Sequence, residues 1–203
     1  MKNMKRVFVA ILVITTLFAC KDNPVSKKIK ETKENVSNVK KAADEIQNIQ
    51  KEIEELQEVE PLTNDELKAW LPDAINGMKR TGYKAGQMGV MQIASIEGTY
   101  TNEDKSKKFK VEVIDGAGAM GATATAAMRM MFSQDFEEED EYKSRKTVKR
   151  NGVKAIEEHR KNQNRTTIEF MKNDRFYIKV TGTNMDVDET WDGVEELDAE
   201  DLG

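Results

Sequence analysis

The sequence predicts an α+β fold, with helices packed on a curved antiparallel sheet of about six strands and a long N-terminal helical spacer before them. Three observations predict it. β-rich segments occur in pairs that are joined by short turn sequences. Helical segments stand before, between and after these pairs, and residues 21–60 contain no aromatic residue that could seed a core.

The N-terminus has the features of a secretory signal peptide. Three basic residues precede an apolar run over residues 7–17, and the small residue Ala19 precedes a cysteine. The run is too short for a transmembrane helix, which needs roughly 20 apolar residues. We therefore expect a signal that is removed from the mature protein.

The ending Leu17-Phe18-Ala19-Cys20 resembles the lipobox of bacterial lipoproteins, and Cys20 is the single cysteine of the chain. The resemblance implies that residues 1–19 are cleaved, that Cys20 carries a diacylglycerol, and that its new amine is acylated, for example with palmitate. We expect an anchor in the bacterial cell envelope. The outer membrane is favoured over the inner one because Lys21, not Asp, follows the cysteine.

The expected domains are a signal peptide (1–19), the lipidated cysteine with a helical or coiled-coil spacer (20–60) and an α+β globular domain (61–203). Cleavage removes three basic residues, so the formal net charge moves from −5 to −8. An acidic surface of this kind argues against nucleic acid as a partner.

The spacer carries one apolar stripe at helical spacing. Its members are Val36, Val39, Ala43, Ile46, Ile49, Ile53 and Leu56. A helix with this stripe either holds the domain away from the membrane or associates weakly with a second copy through residues 27–59. Both interpretations remain open.

The globular domain begins with a capping box of Thr63 and Glu66, which predicts a helix that stops before Pro72. Hairpins are then predicted over 90–115, over 143–160 around Asn151-Gly152, and over 165–182 around Asn173-Asp174. A helix is predicted over 119–133, an acidic loop over 137–141, and a closing helix that is capped by Asp186.

The segments "LP…GMKR", "GTY…VEVIDGAG" and "NDRFYIKVTG" are similar to those of Mog1/PsbP-like domains, which occur in some bacterial lipoproteins. The resemblance covers about residues 62–198. It implies an α+β fold, and it implies no particular activity because such domains serve unrelated roles.

A literal G-x-G-x-x-G motif is formed by Gly116, Gly118 and Gly121. The strand before a dinucleotide site is buried on both faces and almost wholly apolar. Here Lys110 and Glu112 alternate with apolar residues, as in a strand with one face in water. We interpret the glycines as a close strand-to-helix turn and expect no nucleotide and no other cofactor.

The methionines of the middle helix are the strongest candidate for a binding site. Met120, Met128, Met131 and Phe132 could line a groove for an apolar ligand or partner, while core packing and a Cu(I) site are the alternatives. The chain has a single histidine, His159, and no sequence near it suggests a nucleophile or a metal site. The acidic run lacks the spacing of a Ca²⁺ loop.

These features predict a membrane-tethered, non-enzymatic binding lipoprotein. Its partner would be an envelope protein or a small apolar ligand. The alternative is a structural protein that acts through its N-terminal coiled-coil helix, and a metal carrier or an envelope enzyme comes third.

Overall fold

The computed structural model describes residues 40, 43–44, 46–87, 93–199 and 202. The chain forms two compact units, residues 1–45 and 46–203, and the contacts given below lie within the second. Cys20, the signal peptide and the first part of the predicted spacer fall outside the described residues. Among the helices of the described part, none is long and apolar enough to cross a membrane.

The described residues of the second unit contain four α-helices and nine strands. The helices are α1 (46–57), α2 (Asn64–Trp70), α3 (Gly118–Ser133) and α4 (Val187–Glu195). The strands are β1 (Ala74–Ile75), β2 (Met78–Gln87), β3 (Ala94–Thr101), β4 (Lys108–Asp115), β5 (Glu137–Glu139), β6 (Lys143–Arg150), β7 (Val153–Arg160), β8 (Arg165–Lys172) and β9 (Phe176–Thr183).

All nine strands belong to one antiparallel sheet in the order β1-β2-β3-β4-β9-β8-β7-β6-β5. Strand β4 shows its two faces most clearly. Phe109, Val111 and Val113 are buried on one face, and Lys110 and Glu112 are half-buried on the other. We call these the core face and the open face. The predicted alternation of β4 is confirmed.

Helices α2 and α4 cover the core face. Leu67 and Leu71 reach it from the α2 side, and Trp191 and Val194 reach it from α4. Trp191 is buried, and its indole nitrogen donates to a Glu157 carboxylate oxygen at 2.9 Å. Burial of this aromatic and aliphatic surface is the main source of stability for the domain.

Helix α3 covers one end of the open face. Phe132 packs there against Ile156 and Tyr177, and its ring centroid lies 6.5 Å from that of Tyr177. Met128 and Met131 lie against the same cluster. The rest of the open face carries mainly polar and charged side chains.

The sheet has nine strands, so the prediction of about six was too low. Strand β2 was missed because most of its side chains are exposed, so it shows no apolar alternation. It is held by backbone pairing with β3 over a long register, which local sequence does not reveal. The short strand β1 then pairs with the start of β2.

The start of the predicted acidic loop forms β5, an edge strand whose three residues are all exposed. Glu137 and Glu138 stand directly opposite Lys146 and Arg145 of β6. Opposite charges across a strand pair are favourable, so an acidic segment next to a basic strand can pair where its own β propensity would not predict it.

The N-caps predicted at Thr63 and Asp186 and the turns predicted at 151–152 and 173–174 are confirmed, and Thr63 also forms the predicted capping box. Glu66 N–H donates to Thr63 Oγ1 at 3.3 Å, while Thr63 N–H donates to the Glu66 carboxylate at 2.8 Å. The hairpin turns have positive φ at both central residues, with 50° and 82° at Asn151 and Gly152 and 51° and 47° at Asn173 and Asp174.

Part of the predicted spacer belongs to the second unit, because α1 lies within it. Ile49, Glu52, Ile53 and Leu56 are half-buried along one side of α1. The pKa of Glu52 is raised above its usual value, mainly because of burial and the charge of Asp174. The positive charge of the Arg129 guanidinium opposes this shift. Residue Arg129 of α3 is itself buried and donates to the Asp174 carbonyl oxygen at 2.6 Å.

The G-x-G-x-x-G segment is the turn from β4 into α3. Gly118 has φ +73°, and a Cβ added to Gly121 would lie 2.5 Å from the Asp115 carbonyl oxygen. Pro61 packs on Gly118, since a Cβ added there would lie 3.1 Å from its ring. The glycines thus permit close contact of α3 with the strand end and the chain before α2, and their surroundings are filled by protein atoms.

A buried ion pair closes this turn. The Asp115 side chain is fully buried, and Arg175 reaches its two oxygens through Nε at 2.7 Å and Nη2 at 2.8 Å. The same carboxylate accepts the Leu62 N–H at 2.8 Å and the Ala117 N–H at 2.9 Å. Arg175 also donates to the Glu60 carbonyl oxygen at 3.2 Å. One carboxylate therefore holds the entry to α2 and the start of α3.

We expect Gly121→Ala to destabilise the domain by about 1–3 kcal/mol, because its methyl group would overlap backbone atoms of the turn. The matched control is Gly82→Ala, where a Cβ meets nothing within 4 Å. It should leave the free energy of unfolding unchanged or raise it by about 0.5 kcal/mol. Urea unfolding measures both, and equal effects would contradict the close packing at Gly121.

Asp115→Asn should cost about 3–5 kcal/mol of unfolding free energy, since it leaves Arg175 without its buried partner. Arg175→Met should then cost less in the Asp115→Asn background than in the wild type. The control is Asp188→Asn, which breaks the ion pair with Arg150 at a side chain that is 84% exposed. That change should cost less than about 1 kcal/mol. Additive costs at Asp115 and Arg175 would show that the pair does not act as a unit.

Candidate functional site

The open face carries one continuous row of side chains over six adjacent strands. In register, its members are Lys84, Glu97, Glu112, Lys179, Glu169 and Ile156. Five of the six are charged. Each member of the row lines at least one of two cavities that open on this face.

Two carboxylates of the row, Glu97 and Glu112, stand directly opposite each other on β3 and β4. Lys110 bridges them, with its Nζ 3.4 Å from Glu97 and 2.9 Å from Glu112. Burial alone would lower the pKa of Lys110, but the hydrogen bond to Glu112 and the charges of Glu112 and Glu97 raise it above its usual value. The bridge offsets the repulsion between the carboxylates.

A cavity of about 490 Å³ opens on this face over β2, β3, β4 and β9, and we call it the β3–β4 cavity. Among its apolar lining residues, Ile114 and Tyr177 have their side chains on the open face, whereas Ala85, Ile96 and Val113 belong to the core face. Its polar lining residues are Lys84, Ser95, Glu97, Glu112 and Lys179. An apolar lining with a few polar groups is typical of a site for a small ligand.

Tyr177 lines this cavity and also belongs to the apolar cluster that it forms with Phe132 and Ile156 under α3. Its side chain is buried, and burial, followed by the charge and hydrogen bond of Glu169, raises the pKa of its phenol. The phenol therefore stays protonated at neutral pH and serves as a hydrogen-bond donor. Glu169 in turn pairs with Lys179 Nζ at 3.4 Å.

A second cavity of about 210 Å³ lies on the other half of the open face, over β6 to β9. We call it the basic cavity. It is lined by Arg145, Ile156, Glu158, Arg160, Arg165, Thr167, Glu169 and Lys179. Lys179 lines both cavities. Two further depressions, next to β6 and next to α2, are more open to solvent.

The structure brings three of the four predicted groove residues together. Met128, Met131 and Phe132 share the apolar cluster under α3, whereas Met120 is 44% exposed near the start of the helix. None of the four lines either cavity of the open face. Met131 has an indirect role, since its sulfur lies 3.6 Å from an Arg145 guanidinium nitrogen and so helps to hold an arginine of the basic cavity.

His159 lies on the core-face side of β7, half-buried, with Nδ1 3.0 Å from Thr166 Oγ1. Thr166 Oγ1 also contacts the Met185 carbonyl oxygen at 3.3 Å, so it links the histidine to the chain before α4. Over the described residues, no three His, Cys, Asp or Glu side chains are placed to hold a metal ion. Cys20 lies outside those residues.

Sequence reasoning missed both cavities because their residues are far apart in the chain. Lys84 of β2 and Lys179 of β9 come near each other only through the register of four strands. A partial signal was available in β4, where Lys110, Glu112 and Ile114 share the face opposite to the core. That pattern identifies a half-exposed strand, but it does not identify its neighbours.

No family model matches the chain, and no curated protein sequence matches it. Among solved structures, a GTP binding regulator from Thermotoga maritima is similar at 13% sequence identity, over 64% of this chain and 84% of that chain, with a TM-score of 0.30. A TM-score of that size carries no argument about fold or function.

Proposed function

We propose that this chain is a lipid-anchored, non-enzymatic binding protein of the bacterial cell envelope, and that it binds a small apolar ligand on the open face of its sheet. The observation that carries the binding role is the β3–β4 cavity, about 490 Å³ in volume. Ile114 and Tyr177 offer apolar surface there, and charged residues surround them. The ligand class is therefore apolar, with at most a few polar groups.

The charged residues of this cavity fit binding better than catalysis. Lys110 lies between Glu97 and Glu112, and Lys179 pairs with Glu169. Charges that neutralise each other in this way give a ligand a fixed polar rim but provide no activated nucleophile or base. This pairing supports the proposal of a binding role without a chemical step.

The anchor is the second part of the proposal, and the Leu17-Phe18-Ala19-Cys20 sequence supports it. Several acyl chains on one cysteine give durable membrane binding, because each buried methylene contributes roughly 0.8 kcal/mol. The outer membrane is favoured by Lys21. Assignment of residues 62–198 to the Mog1/PsbP-like domains is also part of this proposal, and the α+β arrangement with a large antiparallel sheet supports it.

The ligand site is tested by filling the cavity. Ser95 lines it and is half-buried on the open face, so Ser95→Phe should place a ring in the cavity with little effect on the core. The neutral fluorescent probe N-phenyl-1-naphthylamine should bind the wild-type chain, and Ser95→Phe should weaken that binding at least tenfold. Fluorescence titration measures both dissociation constants.

The control variant is Ser95→Ala, which removes the hydroxyl without filling space and should bind the probe as the wild type does. Equal binding by Ser95→Phe and Ser95→Ala would rule out the β3–β4 cavity as the site. Copurification of a protein on the same face, blocked by Ser95→Phe, would instead identify a protein partner.

For the anchor, Cys20→Ser should release the protein from membranes, because it removes the only thiol that can carry a lipid. The measurement is the fraction of protein that sediments with membranes, compared with the wild type. Serine keeps the size of the side chain and cannot form the thioether. Sedimentation of Cys20→Ser with membranes as for the wild type would mean that another segment holds the protein there.

A further inference from the structure

The basic cavity is unusual for its charge. Arg145, Arg160, Arg165 and Lys179 line it against only Glu158 and Glu169, so its lining has an excess of two positive charges. The whole chain has a formal net charge of −5. A local excess of cations in an acidic protein concentrates anions at that place.

The cations are arranged in an unfavourable way across the strands. Arg160 of β7 stands directly opposite Arg165 of β8 on one side and Lys143 of β6 on the other. Like charges directly opposite each other destabilise a strand pair. A sheet keeps such a row at a cost in stability, which a bound anion would remove.

Ion pairs within the cavity neutralise only some of these charges. Arg160 Nε lies 2.7 Å from Glu158, which also forms an ion pair with Arg145 at 3.7 Å, and Lys179 pairs with Glu169. Arg165 is exposed and makes no ion pair within the part of the chain that the structure describes. Its guanidinium is therefore available at the cavity.

Hydroxyl groups stand beside the cations. Thr167 lines the cavity, and Thr181 is its direct neighbour on β9. The Thr181 side chain is 4% exposed, and its Oγ1 has no hydrogen-bond partner among the described residues. Thr181 is not among the residues that line the cavity, so the hydroxyl that a ligand there could reach is that of Thr167.

From the excess of cations, the opposed arginines and the Thr167 hydroxyl together, we infer that the basic cavity binds a phosphate-like oxyanion. Arginine presents a planar fork of N–H donors that matches the oxygens of a phosphate, and Arg165 and Arg160 offer two such forks from adjacent strands. Thr167, which also lines the cavity, supplies a hydroxyl donor. The oxyanion belongs either to a soluble phosphoester or to the headgroup of an anionic lipid.

This site does not depend on the proposed apolar ligand. It lies over β6 to β9, and among the residues that line the two cavities Lys179 alone is shared. Loss of apolar binding in Ser95→Phe should therefore leave oxyanion binding intact. A failure of one proposal can be told from a failure of the other.

The test uses isothermal titration calorimetry of the full chain in neutral detergent, with inorganic phosphate and with dihexanoylphosphatidylglycerol as probes. Arg165→Gln should weaken binding of both probes at least tenfold. Arg165→Lys, which keeps the charge and loses the fork, should fall between this variant and the wild type. The matched control is Lys149→Gln, which removes one exposed positive charge from β6 outside the cavity and should change binding less than twofold.

The relative affinities of the two probes identify the source of the oxyanion. If the lipid binds at least tenfold more tightly than phosphate, and keeps that advantage in Ser95→Phe, the ligand is a lipid headgroup. If phosphate binds as tightly as the lipid, the ligand is a soluble phosphoester. Wild-type affinity in Arg165→Gln, an equal loss in Lys149→Gln, or no heat from either probe would overturn the inference.

Discussion

The arrangement of this domain depends on the ion pair between Asp115 and Arg175. Asp115 ends a central strand and has no exposed surface, so its charge is tolerable only with donors on both oxygens. These come from Arg175 and from the backbone of Leu62 and Ala117. Three segments that are remote in sequence must therefore reach the same point. One of these segments is the start of α3. Its position determines which end of the open face the helix covers.

The two faces of the sheet differ in the kind of side-chain contact that covers them. The core face fills its space with aromatic and aliphatic side chains from α2 and α4. The open face is covered by α3 at one end, and over the rest it pairs its charges across strands, as Lys110 does with Glu97 and Glu112. Such pairs contribute little to stability, since partly exposed ion pairs are worth about 0–1 kcal/mol. Loss of one such pair should therefore leave the fold intact.

Local sequence was sufficient for the elements whose own residues determine them. Asn151-Gly152 predicted a hairpin because its backbone can adopt positive φ, and Thr63 with Glu66 predicted a helix start. The edge strands were missed because pairing with a neighbour, not their own pattern, makes them strands. Strand β5 is the clearest case, since its glutamates pair with a basic strand.

For the candidate site, helical spacing correctly placed Met128 and Met131 on one side of α3, where both contact the second cluster. It could not tell a side chain packed on the sheet from one that lines a cavity, because that depends on the strand beneath. The two cavities are assembled from strands that meet only after the whole sheet forms. Lys84 and Arg160 belong to the same face, and nothing in the sequence between them indicates it.

Lys179 lines both cavities and forms an ion pair with Glu169. A ligand that drew this lysine toward the β3–β4 cavity would leave Glu169 as an unbalanced negative charge in the basic cavity, which Glu169 lines. Two ligands that both contact this lysine would then be thermodynamically linked, and each would change the affinity of the other by the same factor. An uncharged ligand in the β3–β4 cavity would leave Lys179 paired with Glu169 and would not affect the basic cavity, whereas an anion bound to Lys179 in one cavity would weaken anion binding in the other.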